Sequence, residues 1–154
     1  MMQPMIHANP KRRRAGGFTL IELMVTIGVV AVLGSIAVST YRSYVLRTNR
    51  TDGRMPLLAI QVAQEKYFLQ NNQYAQDIAT VIAAPPAGLG INLTAGGVTT
   101  GGYYTLSFNA VTANTYTLQA VATGTQTKDT AACLTFTINE QGIRTPADST
   151  GCWR

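Results

Sequence analysis

The chain is poor in the side chains that most enzymes depend on: one histidine, His7, two cysteines and only 12% charged residues. Each shortage closes a route. His7 lies in a stretch read below as a removable leader, so the processed chain keeps no imidazole for Ser-His-Asp or Cys-His catalysis or for a histidine-rich metal site. Cys133 and Cys152 stand too far apart for a Cys-x-x-Cys redox motif and have no companion ligands. Glu65, Asp77, Asp129, Glu140 and Asp148 are scattered, without the spacing of a carboxylate pair or a calcium loop, and Asp52 among arginines reads as an ion-pair partner on a helix. The glycines from Gly88 to Gly102 lack the lysine and strand-to-helix setting of a phosphate cradle. Tyr103-Tyr104 reads as strand core and rim in preference to a stacking platform. The expectation is a protein that is not an enzyme and needs no cofactor or metal.

What is present begins with Lys11-Arg12-Arg13-Arg14-Ala15-Gly16-Gly17, followed by an apolar run whose only formal charge up to Val38 is Glu22. As a helix that run, about 20 residues, rises about 30 Å, enough to cross a bilayer core. The basic cluster sets the orientation, with Lys11 to Arg14 cytoplasmic and everything after about Thr40 outside. A secretory signal peptide is the competing reading, with Ala37-Val38-Ser39 as a small-residue cleavage site; the length of the run and Glu22 argue against it. An ionised carboxylate deep in hydrocarbon costs about 2.5 to 3.5 kcal/mol. Glu22 therefore either reaches the cytoplasmic interface or has a partner. Gly16-Gly17 offers a protease an unhindered backbone, and cleavage after Gly17 would place the α-amino group of Phe18 four residues from Glu22, where it could pair with the carboxylate of a neighbouring helix.

Without Lys11 to Arg14, the formal charge of +5 falls close to neutral, so the basic balance is a targeting signal and not evidence of nucleic-acid binding by the exported part. Roughly 110 residues remain beyond the membrane segment, enough for one compact head. In an exported chain Cys133 and Cys152 are expected to form a disulfide, closing a loop of about 20 residues worth on the order of 3 kcal/mol.

Helical patterning continues through Tyr41 to Arg47, and Arg47, Arg50 and Arg54 recur at spacings of three and four on one face. Such a stripe could grip phosphates or lipid headgroups, but a charged face beside solvent or a neighbouring subunit is the commoner meaning. Gly53 and Pro56 predict a kink or short break at Asp52 to Pro56. Leu57 to Leu69 then regains helical spacing, with Ile60, Ala63 and Tyr67 on one flank and Leu58, Val62 and Leu69 close by. Asn71-Asn72-Gln73 ends it, and the glycine- and proline-rich stretch to Gly102 reads as a long exposed connection. Strands are predicted at Tyr103–Phe108, Tyr116–Ala122 and Cys133–Ile138, with a turn at Asn139-Glu140-Gln141-Gly142 into a short fourth at Ile143–Thr145. The inner face would be Tyr104, Leu106, Phe108, Tyr116, Leu118, Ala120, Leu134, Phe136 and Ile138. The expected class is α+β: a long helix on an antiparallel sheet of three to four strands.

Gly17-Phe18-Thr19-Leu20-Ile21-Glu22-Leu23-Met24-Val25 resembles the processing and assembly segment of the type IV pilins. That resemblance implies cleavage by a prepilin peptidase between Gly17 and Phe18, N-methylation of Phe18, and a role for Glu22 in subunit docking. It divides the chain into a cleaved leader (1–17), a transmembrane and assembly helix (18–40) and a periplasmic head (41–154) closed by the Cys133–Cys152 loop, which is similar to the carboxyl-terminal loop of many pilins. Arg50-Thr51-Asp52, Gln64 to Phe68, Asn71 to Tyr74, Cys133 to Thr137 and Gly151-Cys152-Trp153 make the head most similar to a minor pilin of the PilE kind, which implies roles in pilus assembly, twitching motility and adhesion. The implied partners are other pilin subunits, the prepilin peptidase, the inner-membrane assembly platform and, before assembly, membrane lipid; the filament is then extracellular. A type II secretion pseudopilin and a DNA-uptake or adhesin pilin are the alternatives, with DNA binding the lesser expectation. The family commonly carries a proline where this chain has Ser39, which makes a kink there less expected.

Overall fold

A computed structural model describes residues 17–153 of the chain. By internal contacts it divides into two compact units, one reaching to Val38 and the other starting at Ser39. Helix α1, Leu20–Asn71, contributes to both. Its first turn is closed locally: the Thr19 hydroxyl accepts the Glu22 N–H at 3.3 Å and the Thr19 carbonyl accepts the Leu23 N–H at 3.2 Å. Thr19-x-x-Glu22 thus has the spacing of a capping box. In the first unit every residue from Phe18 to Val38 is exposed.

In the second unit the chain after α1 forms a short helix α2, Ile78–Ile82, capped by Asp77, and a four-stranded antiparallel meander of β1 (Tyr104–Val111), β2 (Tyr116–Ala122), β3 (Thr135–Asn139) and β4 (Arg144–Thr145). Short connections make neighbours in sequence neighbours in space. Leu106 opposes Ala120, which opposes Phe136, and Leu118 opposes Ile138, so one face of the sheet is a continuous apolar layer. That layer, with Tyr104 and Tyr116, encloses Leu57 and Ile60 of α1. The Asn139 to Gly142 turn closes as its sequence suggests, with Gly142 N–H donating to the Asn139 carbonyl at 2.9 Å.

Four expectations need correcting. First, α1 runs through Asp52 to Pro56 without a break. Gly53 is there for close approach: a Cβ would sit 2.7 Å from the ring of Tyr104, so the glycine lets helix and sheet meet. Second, the buried stripe of α1 is Arg50, Gly53, Leu57, Ile60 and Gln64, while Val62 and Leu69 are 74% and 85% exposed. Third, the stretch before Gly102 is not merely an exposed connection: it holds α2 and buries Tyr74, Ala75, Val81, Leu89, Leu93 and Thr99. Gln64 fastens its start, its amide giving a hydrogen bond to the Ala75 carbonyl at 2.9 Å and taking one from the Ala75 N–H at 2.8 Å. Fourth, Cys133 and Leu134 precede β3 in and after a 3-10 turn, Ala131–Cys133, and Phe108 is only half-buried, beside an irregularity in the β1–β2 register.

Candidate functional site

Two regions carry the candidate residues. The amino-terminal one contains Gly17, Phe18 and Glu22, all exposed, with Glu22 in the first turn of α1. A carboxylate there faces the positive end of the helix dipole. His7, Lys11 to Arg14 and Gly16 lie outside the described residues.

The second region is where α1 meets the loops after β2 and at the carboxyl terminus. The arginine stripe is largely turned toward the chain itself. Arg50 forms a bidentate pair with Asp129, Nε to Oδ2 and Nη2 to Oδ1 at 2.7 Å each, with side chains only 9% and 4% exposed. The turn Gly124–Lys128 and the residues after it bring Asp129 over the helix, and Gln126 holds them there by donating to the Leu46 carbonyl at 2.9 Å and to Asp129 Oδ2 at 3.0 Å. Burial works against the charge on Asp129, yet hydrogen bonds from Arg50, from the Thr130 N–H and from Gln126, with the charge of Arg50, hold its carboxyl below the ordinary aspartate range. The bond to Asp129 raises Arg50 in turn, against its own burial. Arg54 donates to the Cys152 carbonyl at 3.3 Å and to the Thr51 hydroxyl at 3.1 Å.

Asp52 is not an ion-pair partner of the arginines beside it. Its carboxylate takes hydrogen bonds from the Thr99 hydroxyl, from the Gly101 N–H at 3.0 Å and from the Tyr103 N–H at 3.2 Å, anchoring the loop that enters β1. A Cβ on Gly101 would lie 2.8 Å from that carboxylate, so the side chain needs a bare backbone there.

Cys133 and Cys152 are bridged, with Cα atoms 5.4 Å apart, and the bridge is buried. It holds Trp153 edge-on to Phe136 at 5.3 Å, and the Arg144 guanidinium lies 5.3 Å from the centre of the indole. A cleft of about 430 Å³ opens between α1, the Lys128–Thr130 segment and the last loop, lined by Arg47, Arg50, Lys128, Asp129, Thr130 and Gly151 among others. Among the described residues no group of three or more His, Cys, Asp or Glu side chains gathers as a metal site.

Residues 12–38 match the prokaryotic N-terminal methylation motif, and residues 39–137 match the family described as type IV minor pilin ComP, DNA uptake sequence receptor. The chain belongs to the type IV pilin family. This pilin is 32% identical over 78 residues to the type IV major pilin protein PilA of Myxococcus xanthus, covering 51% of the present chain and 34% of that protein. It is 31% identical over 112 residues to the type IV wide pilus major component PilA4 of Thermus thermophilus, covering 73% of the present chain and 77% of that protein. It thus spans only about a third of the length of the first of these relatives. Among solved structures, a type IV pilin from Shewanella oneidensis aligns with a TM-score of 0.48 and 24% identity over 71% of this chain and 98% of that one. The pilin is a structural protein and not an enzyme.

Helical spacing puts Arg47, Arg50 and Arg54 on one face but does not show what that face meets, because Asp129 and Cys152 arrive from 79 and 98 residues away. The Thr19-x-x-Glu22 capping spacing is legible in the sequence itself.

Proposed function

We propose that this pilin is a minor subunit of a type IV pilus, made with a leader (1–17), an assembly helix (18–40) and an exported head (41–154). A prepilin peptidase cuts between Gly17 and Phe18, and Phe18 is N-methylated. The apolar helix stays in the inner membrane until the assembly platform extracts the subunit, and Glu22 then guides docking onto other pilins. Its expected contributions are pilus assembly, twitching motility and adhesion. The supporting observation is the apolar run from Phe18 to Val38, exposed throughout and carrying a single acid, which needs lipid or neighbouring helices to cover it.

Mass spectrometry of the mature protein should find a chain beginning at methylated Phe18; an intact leader, or a start near Thr40, would overturn this reading. Glu22 offers a finer test, since glutamine keeps the capping-box geometry but removes the charge. If docking uses the charge, Glu22→Gln and Glu22→Val both insert normally and enter filaments about a hundredfold less well, taking the insertion cost as the lost term. Normal incorporation of Glu22→Gln would reduce Glu22 to a helix cap.

A second reading, that the head receives DNA at the cell surface, is favoured by the match of residues 39–137 to a family described as a DNA uptake sequence receptor. Deleting the gene and scoring pili, twitching, DNA uptake and exoprotein secretion separates the cases. Loss of uptake with normal pili supports the receptor. Loss of secretion with normal pili would point instead to a pseudopilin.

A further inference from the structure

We propose that the cleft between α1 and the carboxyl-terminal loop is a phosphate-binding site, in which Arg47 and Lys128 together grip the backbone of a DNA strand. The inference rests on the DNA-receptor reading and names the place on the head where the strand would be held.

Affinity for DNA comes mainly from cations that neutralise phosphates and release counterions. The head restricts where such cations stand. Between Asp77 and Lys128 the sequence contains no charged residue, so α2, the long connection, β1 and β2 supply none. Of the basic side chains elsewhere, Arg50 is committed to Asp129 by two hydrogen bonds and Arg54 to the Cys152 carbonyl and Thr51. Arg144 lies over Trp153 and lines a smaller cleft of about 280 Å³ together with the carboxylate of Asp148. Arg42 and Lys66 are exposed on α1, Lys66 directly after Glu65, but neither lines the larger cleft.

Arg47 and Lys128 are different, because both are exposed and both line the cleft of about 430 Å³. The carboxylate lining that cleft, Asp129, is neutralised by Arg50. Two positive charges therefore act across a concave surface with protein walls, which focuses the field on an entering anion. The buried Arg50–Asp129 pair and Gln126 also hold the segment next to Lys128 against the helix that carries Arg47. The pair thus serves as the floor that sets the spacing of the two cations, and contacts of this kind position a strand without reading its sequence.

The test is a titration of the full-length protein in detergent with a labelled DNA duplex at several salt concentrations. Arg47→Gln and Lys128→Gln should each reduce the slope of log affinity against log salt by about 1 and weaken binding severalfold, equally for any sequence, while Lys66→Gln changes neither. Both substituted side chains are exposed, so thermal unfolding should be unchanged. If the two cleft variants bind as the wild type does while Lys66→Gln or Arg144→Gln lowers the slope, the cleft is not the site, although the receptor reading stands. If the wild type binds no duplex at low salt, the receptor reading fails and this site fails with it.

Discussion

Between Leu20 and Val38, α1 presents leucine, isoleucine, valine and methionine side chains and covers none of them, whereas between Arg50 and Gln64 it buries an arginine, a glycine and a glutamine beside Leu57 and Ile60. Hydrophobicity sorts residues inside and outside in most globular proteins, and along this helix it runs the other way. The first stretch can be left bare because lipid, or other helices, will cover it, and apolar contact with either is tolerant of detail. The second stretch is finished within one chain. A buried guanidinium or amide is costly unless matched atom for atom, and Asp129 and Ala75 supply those matches. Generic apolar contact thus suits the part that the chain leaves bare, and exact pairing the part that is finished within it.

The contrast can be broken most severely at Asp129. Asp129→Ala leaves the Arg50 guanidinium buried without its carboxylate and should destabilise the head by about 3 to 5 kcal/mol, read from denaturant unfolding followed by the fluorescence of Trp153, the one tryptophan. Replacing both members, Arg50→Met with Asp129→Leu, should recover most of that loss. The same pair sets an acid limb. Because the folded carboxyl lies below its ordinary value, its contribution is complete above a pH of about 3.9 and fades as the pH falls through the folded value, and Asp129→Ala should flatten this dependence. An acid limb identical in wild type and variant would show that the pair does not carry it. At the opposite end of the scale, Tyr104 is pushed up to about 12, chiefly by burial, so its contribution is intact below an ordinary tyrosine pKa and is lost as the pH rises through that raised value.

A smaller break is available where helix and sheet touch. Gly53→Ala places a methyl 2.7 Å from the Tyr104 ring, and the expected overpacking cost is about 1 to 3 kcal/mol even though alanine is the better helix former. A stability equal to or above that of the wild type would mean that Tyr104 can withdraw, and that the close approach is not what requires the glycine. Smallest of all should be Val62→Lys, on the exposed side of the same helix, within about 0.5 kcal/mol of the wild type. A large loss there would show that the apolar face of α1 is covered within the chain after all.

Much of this protein was open to reading from residue order. The membrane-length apolar run, the alternating strands and the Asn139 to Gly142 turn are properties of contiguous segments. Period and composition suffice for such features because neighbours in sequence decide them. The failures cluster where a residue's partner lies far away. Gly53 and Pro56 looked like helix breakers because local propensity takes no account of the Tyr104 ring that Gly53 admits or of the core that Leu57 and Ile60 enter. Asp52 looked like a mate for adjacent arginines because its true partners, Thr99, Gly101 and Tyr103, come from a loop that seemed to be only a connection.

The sequence alone determined that this chain has an apolar, singly charged segment and a remainder close to neutral once Lys11 to Arg14 are set aside. Only the tertiary structure decided which of its charges are spent internally. Arg50 goes to Asp129 and Asp52 to a backbone loop, while Arg47 and Lys128 are left together on one cleft. The physical reason is range: hydrophobic length and helical period are summed over neighbours, but the fate of a charge depends on the few atoms within hydrogen-bonding distance, which folding brings from the other end of the chain.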